Sequence, residues 1–133
     1  MSFFRALTTR YSKQCETKEN HPDSDLKTRY YKGSFNQVFQ AAEEIFKGDS
    51  NCRVTSASKE HGEIAVEVKG NVPAFLIVTI ITVKPYETAI DMNISTEKFS
   101  LAGIHGALKS KLLSFYKKFD ERFTYIGSGK HAE

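Results

Sequence analysis

Four histidines and two cysteines are the side chains best suited to chemistry, and their spacing argues against most of it. His21, His61, His105 and His131 stand far apart, with no second histidine or carboxylate at ligand spacing, so no metal site is expected. Cys15 and Cys52 lack CxxC spacing and are too few for a disulfide scaffold. They read as two reduced thiols in a cytoplasmic protein. Arg53 beside Cys52 could lower that thiol's pKa, against the plainer reading of a buried structural cysteine. His105 could serve as a general base if Glu87 or Asp91 came beside it. Gly103-Ile-His105-Gly106 opens the last helical segment with Lys109 and Lys111 just inside, where free N–H groups and the helix dipole would attract an anion. No phosphate-cradling motif and no nucleophile elbow accompanies these residues. The sequence therefore assigns no catalytic, cofactor-binding or metal residue and implies no cofactor, and it favours a non-enzymatic protein.

The elements that would position these residues follow from hydrophobic period. Phe3, Phe4, Leu7 and Tyr11 fall at helical spacing on a short N-terminal helix too short to stand alone. Residues 12–25 are polar and read as a connector. Residues 26–32 alternate as a first strand, polar enough for a sheet edge. Ser34 and Gln37 have capping-box spacing ahead of a helix over 34–47, with Phe35, Val38, Phe39, Ala42, Ile45 and Phe46 on one face and Gly48 as a left-handed stop. Strands follow at 52–56, 63–69, 74–84 and 88–95, with Gly62 marking a hairpin turn. The helical period returns over 101–123, with Ile104, Leu108, Leu112, Phe115, Phe119 and Phe123 as its seam.

This order predicts an α+β, two-layer sandwich: an antiparallel five-stranded sheet (β-α-β-β-β-β-α) with two helices on one face and a short N-terminal helix. The expected divisions are an N-terminal helix and connector over 1–25, one domain over 26–126 and a flexible tail over 127–133. A chain of 133 residues suits one domain, and no apolar run approaches the ~20 residues a membrane-spanning helix needs, so an integral membrane protein is not expected. Residues 1–32 hold seven Lys/Arg against four Asp/Glu, residues 33–100 six against nine, and residues 101–133 six against three. The net charge of +3 is too small to argue for nucleic acid.

The β-α-β-β-β-β-α order over 26–123 resembles the TATA-binding-protein-like arrangement and, more loosely, helix-grip folds. Arg29-Tyr-Tyr31 ahead of the first long helix, Val78-Thr-Ile80 in mid-sheet and Phe115-Tyr-Lys-Lys118 near the end resemble a family of small uncharacterised bacterial cytosolic proteins. The first resemblance implies nucleic-acid binding through a concave sheet face with aromatic wedges and basic side chains. Here the outward strand positions include Glu63, Glu67 and Asp91, which argues against nucleic acid.

Residues 74–84 are apolar on both faces. Phe75, Ile77, Thr79, Ile81 and Val83 lie on one, and Leu76, Val78 and Ile80 on the other. The flanking strands each have a polar face, so a second apolar face is left over. It is read as a surface for a homodimer or another protein partner, with Val78 and Ile80 facing that way and Phe3, Phe4 and Leu7 as a competing internal cover. The alternative reading is a small apolar or amphipathic ligand held between sheet and helices, near Tyr30, Tyr31, Phe75 and Tyr86.

Overall fold

The computed structural model describes residues 13–96 and 104–128. They form seven strands and two helices: β1 (Lys13–Glu16), β2 (Arg29–Lys32), α1 (Phe35–Lys47), β3 (Cys52–Ser58), β4 (Glu63–Val68), β5 (Ala74–Lys84), β6 (Glu87–Thr96), α2 (Ile104–Arg122) and β7 (Thr124–Ser128). A single-turn 3₁₀ helix, Ser24–Leu26, lies between β1 and β2. The α+β class is as read from sequence, and the sheet is antiparallel throughout.

The sheet exceeds the five strands expected. Its order is β3-β4-β5-β6-β2-β7, with β1 also pairing β6. β1 and β2 share the outer edge of the ten-residue β6: β1 takes Asn93–Thr96 and β2 takes Glu87–Ile90. The polar stretch read as a connector thus supplies a strand, and Cys15 from it is 2% exposed in the core. Lys-Gln-Cys-Glu carries one apolar residue, too little for a period-2 signal. β7 forms where the sequence suggested helix end and tail, because α2 stops at Arg122 and Tyr125 pairs with Tyr31, ring centroids 5.8 Å apart.

α1 begins as its residues dictate. The Ser34 hydroxyl accepts from the Gln37 N–H at 3.2 Å, and the Gln37 side chain accepts from the Ser34 N–H at 3.0 Å. Its end differs from expectation. Gly48 is right-handed (φ −84°, ψ −5°), and its N–H simply continues the ladder to the Glu44 carbonyl at 2.9 Å.

Residues paired across antiparallel strands share a face. Ile64, Val66 and Val68, then Ala74, Leu76, Val78 and Ile80, then Ile90, Met92 and Ile94 occupy one face and join a single core with Phe39, Phe46, Leu108, Leu112, Phe115 and Phe119 of the helices. Gly62 sits where the β3–β4 turn meets β5: its carbonyl accepts from the Ile80 N–H at 2.7 Å. Its φ is +68°, and a Cβ there would meet the Ile80 carbonyl oxygen at 2.4 Å. Gly62→Ala is therefore expected to destabilise the fold by at least the ~1–3 kcal/mol of a forced left-handed residue. Urea unfolding monitored by circular dichroism reads this as a lower midpoint.

Candidate interaction face

The face of the sheet away from the helices divides into two halves along β5. Ala65, Phe75 and Ile77 form a small separate cluster, 0%, 5% and 7% exposed, and Ser95 opposite Phe75 is also buried. No described helix shares a core with this cluster. Further along the same strand face, Ile81 and Val83 are 43% and 42% exposed, and Tyr86 at the turn is 72% exposed.

The cause of the exposed end is a length mismatch. β4 has six residues and β5 eleven, so β4 pairs β5 only from Ala74 to Thr79. Beyond the Ile80–Gly62 bond, residues 81–84 have no partner on that edge among the described residues. The other edge continues to pair β6 as far as Lys84↔Glu87, with a bulge between Thr82 and Lys84. The end is braced from below: the Gly33 N–H donates to the Tyr86 carbonyl at 2.8 Å, and the Thr88 hydroxyl to the Gly33 carbonyl at 2.7 Å. Lys84 lies 3.8 Å from Glu87, and Lys32 is the cross-strand partner of Glu87.

Carboxylates border the inner half. Glu63↔Thr79↔Asp91 is one cross-strand row and Ala65↔Ile77↔Asn93↔Glu16 another. Glu67 is bound by Arg53 at 2.6 Å. Glu63 is 8% exposed, its Oε1 has no hydrogen-bond partner among the described residues, and burial raises its pKa, with His61 working the other way. Asp91 lies in the gap between β1 and β2. There its Oδ1 accepts from the Thr17 hydroxyl at 2.7 Å and the Thr28 hydroxyl at 2.6 Å. Burial, offset in part by those two bonds, leaves its pKa raised. The Tyr116 hydroxyl donates to the Ile90 carbonyl at 2.7 Å and lies 3.3 Å from Thr17 Oγ1, with the Arg29 guanidinium 4.6 Å from the Tyr116 ring centroid. This network closes the 17–28 excursion onto the sheet.

The residues singled out in the sequence are dispersed. Leu76, Val78 and Ile80, read as facing a partner, are 0%, 0% and 3% exposed beneath the helices. The face left over is that of Phe75, Ile77, Ile81 and Val83, because the helices cover the side shared with Ile64 and Met92. Tyr31 is buried in the helix-side core, its hydroxyl donating to Asp120 at 2.6 Å. The Tyr30 hydroxyl instead donates to Glu19, so Tyr30, Tyr31, Phe75 and Tyr86 do not line one pocket. Phe3, Phe4, Leu7 and Gly103 lie outside the described residues.

His105 and Gly106 are exposed at the start of α2, and a Cβ on Gly106 would meet nothing within 4 Å. Lys109 is occupied by Asp23 at 2.6 Å and Asp25 at 3.4 Å, so its charge is not open to an anion. Asp91 serves Thr17 and Thr28 and so is not oriented by His105. The Cys52 thiol moves opposite to the activated reading: burial, then the Asp49 carboxylate, pushes it up to about 11. Among the described residues no group of three or more His, Cys, Asp or Glu could hold a metal, and no helix is long and apolar enough to cross a membrane.

The exposed end of β5 was legible in part. The unequal lengths of the 63–69 and 74–84 strands imply an overhang, but nothing in the sequence ranks its two faces. The Thr17–Asp91–Thr28 clamp had no signal, because its members lie 63 and 74 residues apart. No protein-family model matches the chain, and a search of curated proteins finds no significant match.

Proposed function

We propose that this chain is a non-enzymatic interaction module that docks through the end of the β5–β6 hairpin, and that the occupant is a second copy of itself. The observation that carries the reading is the concurrence of Ile81, Val83 and Tyr86, all exposed, with a stretch of β5 whose β4-side edge has no partner among the described residues. An open edge is a template for another chain, and apolar side chains beside it supply the area that backbone bonds lack.

Charge favours a like partner. Lys84 pairs with Glu87 and Lys32 stands opposite Glu87 in register, so both signs are present beside the hairpin and a second copy is not simply repelled. A two-fold pair is the usual closed solution. Three part-exposed side chains offer a few hundred Å², short of the ~800 Å² per partner of a standard interface, so the self-association is weak and concentration-dependent. The Ile81→Ser/Val83→Ser double variant tests this. Sedimentation velocity is expected to show the wild type shifting to a faster species with concentration and the variant remaining at the single-chain value. Identical behaviour of the two contradicts the reading.

The ligand-binding alternative has less support. The helix-side core is filled by fully buried Tyr31, Phe46, Leu112, Tyr116 and Phe119, and the aromatic residues expected to line a pocket are separated.

A further inference from the structure

We propose that residues 17–28 form a strap that swings away from the sheet and α2 as one unit while the rest of the fold stays intact, with Asp91 and Lys109 as the two fasteners that hold it shut. The proposal does not depend on the docking reading above.

The strap is a loop whose ends lie together. On the way in, the Thr17 N–H donates to the Met92 carbonyl at 2.9 Å; on the way out, Arg29 pairs with Ile90. Both anchors stand on the same edge of β6, so the chain between them can leave without unzipping a strand pair. Lys18 closes the neck: its N–H donates to the Leu26 carbonyl at 3.1 Å, and its carbonyl accepts from the Thr28 N–H at 3.2 Å. Within the loop, the His21 N–H donates to the Lys18 carbonyl at 3.3 Å and the Leu26 N–H to the Asp23 carbonyl at 2.9 Å. The Asp23 N–H donates to His21 Nδ1 and the Asp25 N–H to Asp23 Oδ1, both at 3.0 Å. A compact excursion of this kind is an Ω-loop. It satisfies much of its own backbone and takes those bonds with it when it moves.

The ties to the rest of the molecule gather at two places. At the neck, Asp91 accepts from the Thr17 and Thr28 hydroxyls at 2.7 and 2.6 Å. At the tip, Lys109 of α2 holds Asp23 at 2.6 Å and Asp25 at 3.4 Å. Between them, Leu26 is the one strap residue in the helix-side core, and Glu19 takes the Tyr30 hydroxyl. Opening therefore exposes a single core side chain, whereas global unfolding exposes all of them, and a segment with so few buried apolar contacts opens first. The gap beneath is polar, holding the Asp91 carboxylate and the Tyr116 hydroxyl, so water can enter it without leaving these groups unpaired. The Lys18 backbone bonds to both Leu26 and Thr28, which couples tip to neck and makes the opening a single event.

The test is native-state hydrogen exchange on the full chain at low urea, with one variant at each fastener read at the opposite end. Thr28→Val removes a neck hydroxyl and is expected to speed exchange of the Leu26 amide about tenfold, the usual worth of a hydrogen bond to a charged group. Lys109→Met releases the tip, a partly exposed ion pair, and is expected to speed exchange of the Thr28 amide about threefold. The Val38 amide of α1, bonded to the Ser34 carbonyl, serves as the reference and should be unmoved by either change. In the wild type, the strap amides should exchange with little dependence on urea while core amides follow the full unfolding slope. Strap amides that exchange only with the core's urea slope overturn the proposal. So does a variant whose effect stays at its own end, which would mean that the loop frays piecemeal.

Discussion

Phe119→Ala is expected to lower stability by about 3–5 kcal/mol, the usual cost of emptying a buried phenylalanine site. Phe119 is 0% exposed and packs between Tyr31 of β2 and Phe46 of α1. Its ring centroid lies 6.2 Å from that of Tyr31 and 6.3 Å from that of Phe46. The site cannot collapse cheaply, because each neighbour is itself held. Phe46 is edge-on to Phe115 at 5.1 Å, and the Tyr31 hydroxyl is fixed by Asp120. Against a total stability of about 5–15 kcal/mol for a domain of this kind, the loss is a large fraction. Urea unfolding should show a lower midpoint with little change in slope. An effect under ~1 kcal/mol would mean that the helices do not share this core.

Asp91 is the second site with a large expected effect. Asp91→Ala removes the acceptor of two hydroxyls that reach it from both ends of the 17–28 excursion, and each buried hydroxyl left unpaired costs about 1–3 kcal/mol. Relief of the buried charge offsets part of this, so a net loss of about 2–4 kcal/mol is expected. Asp91→Asn keeps an acceptor oxygen and is expected to cost much less. The two variants also differ from the wild type in pH dependence. Burial raises the Asp91 pKa above its ordinary 3.8, so the folded chain holds this proton to a higher pH than the unfolded chain does. In that window the native state binds more protons, and the contribution of this group to stability falls as pH rises. Asp49, lowered chiefly by its hydrogen bond from Lys118, acts in the opposite sense over a lower window, gaining as pH rises toward its ordinary 3.8. The difference between Asp91→Asn and wild type cancels Asp49 and isolates Asp91. The gap should shift in favour of Asp91→Asn as pH rises from about 4 toward neutrality, read from urea midpoints across that range. A gap independent of pH would show that Asp91 titrates normally.

The legibility of this fold followed signal length. α1 was readable from Ser34, Gln37 and six apolar residues at helical spacing, and the β4–β5–β6 meander from clean alternation between glycine and proline turns. β1 and β7, four and five residues long, escaped because each exists to satisfy a neighbour's backbone edge rather than to bury a stripe of its own. The double-faced character of β5 was also readable. The choice of which face met the helices was not, since Leu76, Val78 and Ile80 are as apolar as Phe75, Ile77 and Ile81. That choice is made by the partners in register: Ile64, Val66, Ile90, Met92 and Ile94 oppose the even positions, whereas Glu63, Glu67, Asp91 and Asn93 oppose the odd ones. Asp91 looked like an outward polar residue, and its actual role needed the return of Thr17 and Thr28.

Hydrogen–deuterium exchange at the hairpin end tests the central claim most directly, because it reads the edge itself. Across dilutions from near-millimolar to low micromolar, the amides of residues 81–84 are predicted to be protected at the high end and released at the low end. Val83→Glu should remove that protection at every concentration, and the amides of α1 should stay indifferent throughout. Exchange at residues 81–84 that is fast and independent of concentration in the wild type would contradict self-association through this edge.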